Sequence, residues 1–274
     1  MRNIKIILVF LAAILFNSCQ DVVDIPLNTD KPRLVIDASI NWEKGTSGAN
    51  QTIKLTTTTN FYSNKIPVVS GATITVTNSS NVVFNFIETP NTGLYLCNNF
   101  VPILNADYTL NISSNGQNYS ATQTLKSVAP ILNVTQEVQT GVVRNNILKF
   151  NANYVDPANV DNYYLYKYIF PRDIKARYNN DEDTFFQGNP FFSIAFKDEL
   201  VPGDLVKITH YGITKEYYNY MNILLSVSGS QGGGPFQSPP ATVRGNIKNT
   251  TDFGNFPFGY FRLSESSTFN YTVQ

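Results

Sequence analysis

Few side chains in this 274-residue sequence can do chemistry, and their spacing narrows what that chemistry is. His210 is the only histidine. It closes an alternating run from Leu205 with no second histidine or free thiol beside it, so a zinc centre would lack its other ligands and a structural role is expected. Cys97 stands among Leu94, Leu96 and Phe100, the setting of a buried, inert thiol rather than an activated nucleophile. Asp181-Glu182-Asp183 is the densest acidic group. Its oxygens suit calcium, but the spacing is not that of an EF-hand loop, and a solvated loop is the preferred reading. Gly232-Gly233-Gly234 lacks the Lys-Ser/Thr of a phosphate loop and reads as a flexible connector. The sequence contains neither a Gly-x-Ser-x-Gly elbow nor a Ser-x-x-Lys pair. The strongest candidates are aromatic. Tyr164, Tyr166, Tyr168 and Phe170 share one face of a strand, with Tyr163, Leu165 and Ile169 on the other. An apolar ring with a polar hydroxyl suits partners and sugars, which makes the stripe a candidate ligand or partner surface. A barrel or sandwich core explains the same pattern and is favoured.

Cys19 carries a different chemistry. Arg2 and Lys5 precede an unbroken apolar run of eleven residues, Ile6 to Phe16, and then Asn17, Ser18 and Cys19. Eleven residues are too few to cross a bilayer as a helix but suit the apolar segment of a secretory signal. A cysteine at the cleavage point resembles a bacterial lipobox, although Phe16 and Asn17 depart from its usual Leu and small residue. The expectation is a signal peptide over 1–18, a lipidated Cys19 and attachment to a membrane through the N-terminal lipid. Stable attachment takes more than one acyl chain. Gln20, rather than an acidic residue, follows the cysteine, which points to the outer membrane. Asp21 and Asp24 resemble surface-export signals of related lipoproteins.

Composition bounds the remainder. The mature chain of about 255 residues is long enough for two ordinary domains. Without Arg2 and Lys5 it holds 18 basic and 20 acidic residues, a net charge of −2, which gives no electrostatic reason to bind nucleic acid. Cys97 is then the only cysteine besides Cys19, so no internal disulfide is expected. Tyr and Phe are abundant, Met, His and Trp nearly absent, and charged residues reach only 15%. That is the composition of an all-β extracytoplasmic protein.

The elements that must position these residues follow from period-two alternation. Residues 19–32 form a tether. Leu34 to Ile40, Ile53 to Thr57, Ala72 to Val76, Val82 to Phe86, Leu94 and Leu96, Tyr108 to Ile112 and Tyr119 to Ala121 are about seven short strands. Asn115-Gly116 between two of them is a hairpin turn. The pattern predicts an immunoglobulin-like β-sandwich over 33–129 that closes before Pro130, without the Cys-Trp-Cys signature of antibody domains. Trp42 is expected as a core or edge plug. Residues 130–274 read as a second antiparallel β domain, barrel- or sandwich-like. Its strands lie at Leu148 to Tyr154, Tyr163 to Phe170, Leu205 to His210, Thr242 to Ile247 and Phe258 to Leu263, with a strand pair from Phe185 to Phe196. One helix is predicted at 215–227, capped by Thr214, with Tyr217, Met221 and Leu224 on its buried stripe. The fold class is therefore all-β with one helix.

Several stretches, in order, resemble the bacterial lipoprotein family called domain of unknown function 4249. They are Lys31 to Ala38, Asp107 to Ile112 with Gly116, Tyr119 and Ala121, Asp161 to Tyr164, Pro202-Gly203-Asp204, Lys215 to Tyr220, Pro239 to Ile247 and Gly259-Tyr260-Phe261. Asn249 to Pro257 departs from the family as a longer hairpin loop. The resemblance implies an outer-membrane lipoprotein, often encoded beside TonB-dependent receptors, and supplies no activity. The expected function is a non-enzymatic, lipid-anchored accessory or interaction protein of the outer membrane, with a TonB-dependent receptor as partner and no cofactor or metal. A glycan- or small-ligand-binding lipoprotein is the alternative. A hydrolase with a dispersed acidic site ranks lowest.

Overall fold

Alternation builds the first half as expected. In the computed structural model, which describes residues 31–60, 63, 65–139, 147–228 and 243–274, β1 (Leu34–Glu43) turns Ile36, Ala38 and Ile40 inward. It continues through β2 (Gln51–Thr57), β3 (Thr73–Asn78), β4 (Val83–Thr89), β5 (Leu94–Cys97), β6 (Asp107–Ser114) and β7 (Gln117–Thr124). β1, β2 and β5 form one layer, and β3, β6 and β7 the other. β4 belongs to both. Its residues 83–86 pair with β3, and its residues 87–89 pair with β5. Ile53, Leu55 and Tyr95 of one layer meet Val76, Phe84, Leu110 and Ile112 of the other in one core. This two-layer, seven-strand antiparallel arrangement is an immunoglobulin-like sandwich. Asn115 and Gly116 both take positive φ in the turn joining β6 and β7, which the twist of a two-residue hairpin requires.

One strand reverses its expected face. Tyr95 and Cys97 of β5 are buried, while Leu96 is 47% exposed. Side chains alternate with period two, so a one-residue shift in phase exchanges the inward and outward sets. Cys97 is buried as expected, beside Phe100, with its thiol on Asn99 Oδ1 at 3.2 Å.

The second half comprises β8 (Asn133–Gln139), β9 (Ile147–Val155), β10 (Tyr163–Ile169), β11 (Arg177–Glu182), β12 (Pro190–Lys197), β13 (Leu205–Ile213), α1 (Lys215–Val227), β14 (Lys248–Asn249) and β15 (Phe258–Thr272). β15, β13, β10 and β11 extend the β1 layer, so one curled sheet of twelve strands runs from β11 to β14. β12, β9 and β8 form a separate three-stranded sheet, whose Phe150, Ala152 and Tyr154 pack on the Tyr164 face of β10. The opposite face carries Leu165, Tyr211 and Tyr260, covered by Tyr217, Met221 and Leu225 of α1. The buried stripe thus ends on Leu225, and Leu224 is only partly covered. Thr214 caps the helix by accepting the Tyr217 N–H.

β15 overturns the expectation that the first half closes on itself. Polar Ser264 to Thr268 masked its length, which runs to fifteen residues rather than stopping at Leu263. It pairs in parallel with β1 over nine residues and antiparallel with β13 beyond. Phe261 and Leu263 belong to the first core, and Phe269 and Tyr271 pack against the second. Gly259 has φ of +97°, and a Cβ there would lie 2.0 Å from the Ile36 carbonyl oxygen, so only glycine lets β15 approach β1 this closely. Ser264 to Ser267 are buried but satisfied. Glu265 pairs with Lys44 at 2.7 Å and accepts the Val128 N–H at 3.0 Å, and Ser267 accepts the Ile131 N–H at 3.1 Å. Residues 32–274 accordingly form one unit across Pro130.

Three further expectations change. The segment before Gly259 is no hairpin, because β14 pairs with β7 while β15 pairs with β1. Of the strand expected at Thr242 to Ile247, Thr242 lies outside the described residues, 243–247 form no strand, and the two-residue β14 follows them. The partner strand of β12 is not at Phe185, which is 95% exposed in a turn. The signal segment 1–18, Cys19 and Gly232-Gly233-Gly234 lie outside the described residues.

Candidate functional site

The β10 stripe is the place to begin, because its pattern allowed either a surface or a core. Tyr164, Tyr166, Tyr168 and Phe170 are all buried, since the three-stranded sheet lies across that face. They are not a ligand or partner surface. Each hydroxyl finds a buried partner, which makes a tyrosine core tolerable. Tyr164 donates to Asp156 Oδ1, Tyr166 donates to the Tyr154 hydroxyl at 2.8 Å, and Tyr168 donates to Ser193 Oγ at 2.8 Å. Phe170 stacks on Tyr168.

Register then places His210 of β13 opposite Tyr166 of β10. The imidazole stacks on the Tyr166 ring at 4.6 Å, with Tyr154 and Tyr164 each at 4.7 Å. It is fully buried, and neither ring nitrogen has a hydrogen-bond partner. Burial pulls its pKa down to about 3, so the ring is neutral near pH 7. Burial also raises Asp156, against the opposing pull of the Tyr164 hydroxyl and the Gly188 N–H. The result is a closed box of rings, one imidazole and one carboxylate. Such a box can hold a proton and is closed to solvent.

The acidic run is neither a solvated loop nor a calcium loop. Asp181 and Glu182 lie in β11, paired with Tyr164 and Tyr163. Asp183 is buried and accepts the Asn162 N–H at 2.7 Å and its side-chain amide at 3.2 Å. Burial raises the Asp181 carboxyl. Among the described residues no group of three or more His, Cys, Asp or Glu side chains could hold a metal ion. Sequence patterning missed β11 because five of its six residues, all but Tyr178, are polar. Its other neighbour is β12, which it meets through side chains. Arg177 donates to the Phe196 carbonyl at 2.8 Å and Asn179 to the Ile194 carbonyl at 2.6 Å.

Two clefts open outward instead. One, of about 570 Å³, has Asn105, Asp107, Thr124 and Lys126 on one wall and Asp161, Asn162, Tyr163, Lys215 and Glu216 on the other. The second, of about 890 Å³, follows the β11–β12 gap under the turn carrying Ile174, which is 99% exposed. Lys197 and Arg177 share Asp173 there, at 2.8 and 3.2 Å, and the pair holds its carboxyl below the usual range.

Fold and site together define a β-sandwich protein with a sealed aromatic centre and two open clefts, one mostly polar and one mostly apolar. The chain belongs to the family described as domain of unknown function (DUF4249), whose family model matches residues 20–270. No curated protein matches it. Among solved structures it is similar to a two-domain fibronectin type-III segment of chicken tenascin, at 12% identity over 67% of this chain and 91% of that one, with a TM-score of 0.21. It is also similar to a cytokine receptor complex, at 8% identity over 69% of this chain and 93% of that one, with a TM-score of 0.26. Superposition is poor in both, so the fold assignment rests on the strand order above.

Proposed function

We propose that the protein is a lipid-anchored outer-membrane binding protein, an accessory or interaction subunit without catalytic activity, working beside a TonB-dependent receptor. One observation carries the reading. The densest collection of groups able to move protons, Tyr154, Asp156, Tyr164, Tyr166 and His210, is closed to solvent, while the surface offers clefts and isolated apolar tips. Catalysis requires its groups within hydrogen-bond reach of a substrate, and this cluster has no such reach. Binding requires only a shaped surface. Cys19, its apolar leader and the tether to residue 32 supply the membrane attachment.

The test has two arms. A fatty-acid analogue fed to cells is expected to label wild type and not Cys19→Ala, and equal labelling of both would end the lipoprotein reading. Purification from solubilised outer membranes is expected to bring down an integral β-barrel receptor. Recovery of the protein alone, together with hydrolysis of a substrate panel, would move it to the enzymes.

A further inference from the structure

The three-stranded sheet turns its inner face to Tyr164 and Phe170 and its outer face away from the core. That outer face is arranged in rungs. Register places Phe192 beside Asn153 and Asn133, Ile194 beside Asn151 and Thr135, and Phe196 beside Lys149 and Glu137. The rungs recur every second residue, about 6.6 Å apart along the strands. The β12 column is apolar, with Phe192 39% and Phe196 50% exposed. The β9 column is two amides and an ammonium, and the β8 column is polar.

Charge and hydrogen bonding on this face are specific. Lys149 Nζ meets Glu137 at 3.3 Å, so the face is neutral as a whole. The same Nζ lies 5.9 Å over the Phe192 ring. Asn153 Nδ2 donates to Asn133 Oδ1 at 2.7 Å. Asn151 Nδ2 donates to Thr135 Oγ1 and to Glu137 Oε1, both at 3.4 Å, which fixes the orientation of its amide. Its Oδ1 is left without a partner, although the residue is only 7% exposed. That oxygen is closed to solvent, so the groups this face offers to a ligand are the exposed Asn133 and Thr135 and the half-exposed Asn153.

We infer that the outer face of β8, β9 and β12 binds a neutral carbohydrate chain lying along β12. The apolar C–H faces of its sugar rings pack on Phe192 and Phe196, and its hydroxyls bond the half-exposed Asn153 amide and, beyond it, the exposed Asn133 and Thr135 side chains. A hydroxylated ligand fits because every polar group on the face is an amide, a hydroxyl or a member of the internal Lys149–Glu137 pair. A strongly charged polymer finds no net charge to meet. The inference goes beyond the membrane role proposed above and stands without it, because the face belongs to the folded region alone.

The test is affinity electrophoresis of the purified folded region in native gels. The gels contain a soluble β-1,3-glucan, an α-1,4-glucan, a mannan, a xyloglucan or, as the charged comparison, alginate. Retardation by at least one neutral polymer is expected. The Phe192→Ala/Phe196→Ala variant should bind it at least tenfold more weakly with an unchanged circular dichroism spectrum, and Phe196→Ala alone should fall between. Phe253→Ala removes an exposed ring of the first sandwich and should behave as wild type. No retardation by any neutral polymer, retardation by alginate only, or binding that survives the double substitution would each overturn the assignment. Receptor co-purification with the double variant reports separately on the membrane role.

Discussion

Glu43 accepts the Thr268 backbone N–H at 2.7 Å across 225 residues of sequence. Its other oxygen accepts the Ser266 and Thr268 hydroxyls at 2.8 and 2.9 Å. The contact joins the end of β1 to β15 where β15 leaves the first core for the second. Removing the carboxylate leaves a partly buried N–H and two hydroxyls without acceptors. Glu43→Ala is expected to cost about 1–3 kcal/mol in urea unfolding, with the slope unchanged. A midpoint equal to that of wild type would show that water replaces the carboxylate without loss.

A fragment of residues 31–129 tests how far the first half depends on β15. The sequence alone suggests that it folds by itself. The structure removes Phe261 and Leu263 from its core on truncation and leaves one edge of β1 unpaired. The fragment should be less stable than the full folded region and should self-associate through that edge. Sedimentation as a monomer with well-dispersed proton NMR would restore the idea of a self-sufficient half.

How much was legible in the sequence differs between the halves for a physical reason. The first sandwich has one wet and one dry face, so its strands alternate and declare themselves, β5 excepted. Residues 258–272 pass from one core to the other, and Ser264 to Ser267 are buried through hydrogen bonds rather than apolar contact, so periodicity stops while the strand continues. β11 is hidden likewise by Asn179, Asn180 and Asp181. The tyrosine stripe showed its alternation but not its cover, because β8 and β9 reach it through tertiary packing. The rungs of Phe192, Ile194 and Phe196 depend on a register that only pairing with β9 defines.

His210 makes stability depend on acid. Unfolded, its imidazole takes a proton near pH 6.5, and folded only near pH 3. Protonation therefore favours the unfolded chain. The full contribution is present above pH 6.5 and is lost as pH falls toward 3, by up to about 1.4 kcal/mol per unit. Asp156 and Asp181, raised by burial, act in the opposite sense, so the comparison with His210→Phe isolates the ring. Melting temperatures should converge or cross between pH 7 and pH 4 as wild type loses more than the variant. Parallel curves would remove the imidazole from the account.

On α1, Leu225 is buried and Asn219 is exposed. Leu225→Ala is expected to cost about 2–5 kcal/mol by thermal unfolding, and Asn219→Ala less than about 0.5 kcal/mol. Asn222, which accepts from Asn180 Nδ2 at 2.8 Å, should fall between. Equal losses at Leu225 and Asn219 would mean that the helix does not cover the sheet as described.

The parallel ladder between β1 and β15 has a mechanical consequence. The chain enters the fold at β1, and the nine pairs from Val35–Phe258 to Glu43–Ser266 lie along that strand. A pull on residue 31 directed along β1 loads these bonds in shear, all at once, together with the antiparallel bonds to β2 on the other side. Detachment under such a load cannot proceed one rung at a time from a free end, as it does when a hairpin is peeled. A body held by its N-terminus against flow or against a moving partner would thus meet force at its most resistant seam.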